Sequence, residues 1–187
     1  NFDTGMNRLG FKPEQITAIA DRLKSIPELR LATIYTHLAA TESEEHDART
    51  EGQLLKFKRV VAELRDELSG NPALDGFKTH ALNSSGVMRF PQHGMDYVRM
   101  GLSLFGATLS EIEVGLKPAV SFKTVITQVQ NIPAGEGVGY GFDSPTDKHR
   151  VIAWLPVGYA DGYPRSLSNG KGVVSIGGRL AKVAGRI

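Results

Sequence analysis

The chain has 187 residues, 41% hydrophobic and 7% aromatic, with a formal net charge of +2. That length fits one medium domain or two small ones with a genuine core. The near-neutral balance leaves no electrostatic footprint for nucleic acid, no apolar run approaches the roughly 20 residues needed to cross a bilayer, and zero Cys excludes disulfides, thiolate metal sites and a cysteine nucleophile. Neither nucleic acid nor a membrane is expected as a partner, and the cysteine-free composition accords with the cytoplasm as compartment.

Pro13 through Ser25 reads as a helix, with Pro at an early position and Ile16, Ile19, Ala20 and Leu23 at helical spacing. Leu29–His37 is a β-rich apolar run. Asp47–Leu68 is the clearest helix, with Leu54, Leu55, Phe57, Val60, Val61 and Leu64 expected on one face and Ser69-Gly70-Asn71-Pro72 as its stop signal. The densest basic group, Lys56, Lys58 and Arg59, falls on this helix and reads as a solvated face. Lys78–Asn83 and Asp96–Met100 are expected as short strands. Strand–helix alternation of this kind implies parallel strands joined by crossover helices.

The texture changes near Glu113–Pro118. Val120–Val129, Val151–Val157 and Gly172–Ile176 read as strands separated by Gly-rich turns, with no helical period. The expected division is therefore residues 1–114 and 115–187, an α/β part followed by an antiparallel β part.

In parallel α/β architectures chemistry gathers at the carboxyl ends of the strands. His37, Ser84 and Gly101 all fall just past strand-like runs, and Arg8 joins them if a strand ends near Asp3. This is the layout of about half a (β/α)8 barrel, three full strands and the tail of a fourth. Half a barrel leaves open sheet edges, so a preceding half is expected in the natural protein; the first residue is Asn1 rather than Met.

Each cluster admits two readings on its own. Arg8, in Asp3-Thr4-Gly5-Met6-Asn7-Arg8-Leu9-Gly10, is either an exposed loop residue or a planar fork for an anionic oxygen. His37 is a packed strand-end residue or a site residue. Asn83-Ser84-Ser85-Gly86 is an ordinary helix start, or with Gly101 and Leu102 a phosphate cradle built from a hydroxyl and backbone N–H groups. Tyr140, in Val138-Gly139-Tyr140-Gly141, packs across a hairpin or presents a phenol at a turn. His46, His80, His93 and His149 show no metal-ligand spacing and read as ordinary.

Taken in order, these blocks, with Arg99 and with Tyr159-Ala160-Asp161-Gly162-Tyr163-Pro164-Arg165, resemble the alanine racemases, which use pyridoxal 5'-phosphate. The resemblance implies the C-terminal half of a TIM-like (β/α)8 barrel followed by part of an antiparallel β-barrel domain. It implies that Ser84, Gly101 and Leu102 bind the cofactor's phosphate and that Arg99 meets its pyridine nitrogen. It implies that His37 supports Arg99, that Arg8 faces the cofactor's phenolic oxygen and the substrate carboxylate, and that Tyr140 is one of two catalytic bases. Tyr159 narrows the substrate entrance, with Asp161 and Arg165 near it. The implied activity is interconversion of L- and D-alanine for peptidoglycan synthesis, by a homodimer when full length.

Two features qualify that picture. Asn1 stands where many members carry a lysine, often carbamylated, which keeps a broader amino acid racemase open as an alternative. None of the chain's lysines has the context of the family's cofactor lysine, so the 187-residue chain alone is expected to be inactive, and a non-catalytic half-barrel module is a further alternative. Related decarboxylases set an acid against the pyridine nitrogen, so Arg99 argues against them.

Overall fold

The computed structural model describes residues 1–109 and 115–187. The described chain forms two compact units, Asn1–Ser121 and Phe122–Ile187. Glu113 and Val114, on which the expected boundary falls, lie outside the described residues.

The first unit alternates helices and parallel strands. Its elements are α1 (Ile16–Lys24), β1 (Thr33–Tyr35), α2 (Asp47–Glu67), β2 (Lys78–His80) and α3 (Ser84–Arg89). β1 and β2 pair in parallel, with Tyr35 opposite His80. The ladder continues on both flanks: the Phe2 N–H donates to the Tyr35 carbonyl at 2.8 Å, and a parallel bridge joins His80 to Tyr97. Four chain segments therefore lie side by side, with β1, β2 and the segment at Tyr97 parallel, as expected of successive barrel strands. The strands are shorter than the apolar runs suggested. Leu29–Ala32 lie outside the ladder, and Asp96–Met100 contributes a bridge at Tyr97 rather than a strand.

Helix α2 supplies much of the core. Leu54, Phe57, Val60 and Leu64 are buried, along with Leu68 just beyond its end. These positions recur every three or four residues and form one stripe. Leu55, expected on that face, is 53% exposed, because one residue past Leu54 turns its side chain about 100° away. Val61 packs at the margin of the core. The stop signal acts as read: Gly70 has φ +79, a left-handed geometry that ends the helix. Helix α1 buries Ile16 and Ala20, and is preceded by a tight turn at Pro13–Gln15 rather than beginning at Pro13.

The second unit contains two antiparallel hairpins. β3 (Gln128–Ile132) pairs with β4 (Arg150–Trp154), and β5 (Val173–Ile176) with β6 (Arg179–Lys182). Gly177 and Gly178 form the β5–β6 turn, both at positive φ, the geometry that a two-residue hairpin loop requires. The first strand departs from expectation. Of Val120–Val129 only Gln128 and Val129 are in β3; Val120, Phe122 and Val125 are exposed and outside any ladder among the described residues. Apolar alternation marked a strand there, but pairing follows the partner, and β4 meets the chain from Gln128 onward.

Candidate active site

Arg99 is the hub of the first unit's site. Its two terminal nitrogens make five contacts. One lies 2.6 Å from His80 Nδ1 and 3.4 Å from the His80 carbonyl. The other lies 3.1 Å from His37 Nδ1 and donates to the carbonyls of Thr36 at 2.8 Å and Ala81 at 3.0 Å. Its guanidinium also sits 5.0 Å over the Tyr35 ring, which stacks on His80 at 4.9 Å. The parallel register makes this possible: Tyr35 and His80 are opposite partners, and Arg99 follows the bridge at Tyr97.

Guanidinium only donates. Both Nδ1 atoms must therefore accept, which fixes both imidazoles as neutral with the proton on Nε2. The electrostatics agree. Burial, then Arg99, holds His37 and His80 below the ordinary imidazole range, and Arg8 adds to the effect on His37. Arg99 is itself lowered by burial. His80, read from sequence as ordinary, is thus a member of the site. The signal that could have found it is its place at the carboxyl end of a strand, the rule that picked out His37 and Ser84.

Beside this hub lies a cradle. Asn83 caps α3 through its Oδ1, which accepts from the Gly86 N–H at 2.9 Å and from the Thr41 hydroxyl at 2.7 Å. That cap sets Ser84, whose Oγ accepts from the Gly101 N–H at 2.9 Å. Leu102 follows, itself exposed, at the start of the tight turn Leu102–Phe105. Ser84, Gly101 and Leu102 are thereby brought together.

Arg8 stands on a closed loop. The Asp3 N–H donates to the Phe11 carbonyl at 2.8 Å, and the Phe11 N–H to the Asn1 carbonyl at 2.9 Å. Asn1 Nδ2 donates to the Leu9 carbonyl at 2.7 Å. Arg8 is exposed and makes no hydrogen bond or ion pair among the described residues. Its field reaches His37, so His37 feels two guanidinium groups. The loop is joined to the residue just past β1 by a buried hydroxyl pair, Thr4 and Thr36, at 2.7 Å.

Tyr140 and Tyr159 belong to the second unit. Tyr140 is 84% exposed, on the turn Tyr140–Phe142 between Gly139 and Gly141, both at positive φ. Tyr159 is 66% exposed, with the Arg165 guanidinium 5.8 Å over its ring. The Gly158 N–H donates to Asp161 Oδ2 at 2.9 Å, which closes that turn. Neither phenol packs across a hairpin.

Comparison with known proteins gives one answer. The family described as alanine racemase, N-terminal domain, matches residues 1–109, and alanine racemase, C-terminal domain, matches residues 119–187. The alanine racemase of Carboxydothermus hydrogenoformans is 38% identical over 189 residues, covering 99% of this chain and 49% of the relative. That of Halothermothrix orenii is 36% identical over 188 residues, covering 99% of this chain and 48% of the relative. The solved alanine racemase from E. faecalis superposes with a TM-score of 0.79 at 29% identity, covering 99% of this chain and 48% of that one. The one from Bartonella henselae, with covalently bound pyridoxal phosphate, gives 0.71 at 30% identity over 98% of this chain and 48% of that one. The chain spans about half the length of the curated relatives it matches. It has the fold of those enzymes, the C-terminal part of a TIM-like barrel and a β domain, and it belongs to the alanine racemase family.

Proposed function

We propose that the protein carrying this chain is a pyridoxal 5'-phosphate-dependent isomerase that interconverts L- and D-alanine. The observation that carries the reading is the state of Arg99. Its four terminal N–H groups are committed to protein acceptors, and the fifth, on Nε, has none among the described residues. A held guanidinium with one uncommitted donor suits a neutral ring nitrogen, which needs one donor and no counter-charge.

The cradle fits the other end of the same cofactor. Ser84 accepts through its oxygen, so its own O–H is left to donate to an anion. A Cβ at Gly101 would have Ser84 Oγ as its nearest neighbour at 4.0 Å, so the space over its backbone is open. Ser84, Gly101 and Leu102 would hold the phosphate.

The bound cofactor supplies an electron sink that lets the substrate Cα lose its proton. Arg99, which stays charged, keeps the ring nitrogen an acceptor and so restrains that sink, favouring proton exchange at one carbon over side reactions. Arg8 pairs with the substrate carboxylate. Tyr140 is one of two bases on opposite faces of Cα. It removes the proton from one enantiomer and, in the reverse direction, delivers the proton that forms it, the other face being served by the second base. Tyr159 narrows the entrance. The protein works as a cytoplasmic homodimer and provides D-alanine for peptidoglycan.

The test adds pyridoxal phosphate to the intact protein and follows its visible absorbance, then measures the optical rotation of L-alanine over time. A new absorbance band and decay of the rotation to zero are expected. Binding of the cofactor with no loss of rotation would sink the assignment. Asn1 favours a second reading: it bonds the Leu9 carbonyl and places a neutral amide where a charged group would restrain Arg8. A broader racemase would process larger amino acids as fast as alanine in the same assay.

A further inference from the structure

The loop that carries Arg8 has a carboxylate at its centre. Asp3 is buried, its side chain 4% exposed, and both oxygens are engaged. Oδ1 accepts from the N–H of Gly5 and of Asn7, each at 3.0 Å, and Oδ2 from Lys12 Nζ at 2.8 Å. Asn7, with φ 56, sits in left-handed geometry that costs a non-glycine residue energy when unsupported, and Gly5, with φ 144, takes a geometry that a side chain would strain. The loop's ends are pinned as a pair by the hydrogen bonds between Asn1, Asp3 and Phe11. Gly10 seals the closure, since a Cβ there would meet the Asp3 nitrogen at 2.9 Å and the Asn1 carbonyl oxygen at 3.0 Å.

We propose that Asp3 is a positioning residue for Arg8: its carboxylate gathers the Gly5 and Asn7 amides and so fixes the loop backbone from which the Arg8 side chain projects, with Lys12 as the carboxylate's counter-charge. The inference rests on the racemase reading for what Arg8 does, and on the loop geometry for how it is held. An exposed Arg with no hydrogen-bond or ion-pair partner among the described residues has rotamer entropy to lose on meeting a ligand. Fixing its backbone removes part of the disorder that binding would otherwise have to suppress. The carboxylate is suited to this because it can accept several donors at once, and a charged acceptor makes stronger bonds than a neutral one. Its own pKa, held down to about 2 by Lys12 and by the Asn7 and Gly5 amides, reports the same contacts.

The experiment is an NMR measurement on the intact protein without cofactor, so it is decided whether or not the racemase reading stands. In the wild type, the amides of Gly5 and Asn7 should exchange with solvent about tenfold or more slowly than those of Met6 and Arg8. Equal exchange of the four would overturn the proposal without any variant. In Asp3→Asn the first two should speed up by a similar factor. The His37 imidazole then decides between a positioning and a purely electrostatic role. Removing a negative charge would by itself lower its pKa further, whereas releasing Arg8 raises it. A rise toward the value seen in Arg8→Gln, and no further rise in the double variant, is expected; a fall or no change overturns the assignment. Lys12→Met retains the carboxylate and should leave the two amides protected; loss of their protection would make the lysine, rather than Asp3, the organising group.

Discussion

Arg99 and His80 meet with 2.6 Å between a guanidinium nitrogen and Nδ1, a contact that forces the imidazole to accept and therefore to be neutral. The same nitrogen type on His37 faces the guanidinium's other arm at 3.1 Å. One fixed cation thus sets the proton state of two histidines, His80 at the end of β2 and His37 just past β1. The arrangement concentrates positive charge at one place while keeping the rings beside it uncharged.

This coupling has a pH signature. Both histidines are lowered from the ordinary 6.5, first by burial and then by Arg99. A base whose folded pKa lies below its unfolded one is proton-poor in the folded state. Stability is then level above about pH 6.5 and falls as pH drops through it, until the folded-state values are reached. Asp3 acts separately and at lower pH. Its contribution is complete above 3.8 and lost as pH falls toward about 2. Denaturant midpoints measured across this range should show the first loss near neutrality, and imidazole NMR should place both histidines below 6.5. A histidine titrating above 6.5 would refute the network.

Replacing Arg99 with Lys should be costly although charge is kept. A lysine offers one nitrogen where the fork presents two, so it cannot serve His80, His37, Thr36 and Ala81 together. Leaving buried carbonyls unpaired costs about 1–3 kcal/mol each, and a net loss of about 2–4 kcal/mol is expected from urea unfolding. The variant should also lose the fixed tautomer pattern of the two imidazoles, while burial and the retained charge keep both histidines below 6.5. A stability loss under about 1 kcal/mol would mean that the fork's geometry matters little.

How much of this could be read from the sequence depends on whether a residue's role is local. The stripe on α2 and its stop at Gly70 are local periodicity and turn chemistry, and both are legible. Ser84 and Gly101 are legible as glycine-rich strand ends, and they do meet. His80 was not, because its partner Arg99 is nineteen residues away and the contact exists only once the Tyr35–His80 register and the Tyr97 bridge are set. Leu55 misleads because an apolar residue next to a stripe has the composition of the core and the direction of solvent. In the second unit Val120–Val125 has the alternation of a strand, yet a strand is defined by a partner that the local sequence does not name.

The Leu54 and Leu55 pair turns that point into a measurement. Leu54 is fully buried, and truncation to Ala should cost about 2–5 kcal/mol through lost transfer energy and a cavity. Leu55→Ala, on the exposed side, should change stability by no more than about 0.5 kcal/mol. Chemical unfolding of the two variants is the check. Comparable losses would show that Leu55 is covered in solution.

Ser84→Ala separates the cradle's structural part from its binding part. The Gly101 N–H loses its acceptor, but Gly101 is exposed and water can replace the hydroxyl, so the stability loss should be about 1 kcal/mol or less. Ligand binding should respond more strongly and selectively. Pyridoxal phosphate uses the cradle and pyridoxal does not, so their affinity difference measures it. In the wild type the phosphate should add about a hundredfold to the affinity. In Ser84→Ala that advantage should shrink about tenfold, the value of one hydrogen bond to a charged group, while binding of pyridoxal stays the same. Equal weakening of both ligands would instead point to a displaced α3, since Asn83 caps that helix one residue earlier. Circular dichroism would not detect so local a shift. The exchange rate of the Gly86 amide, which the cap protects, would.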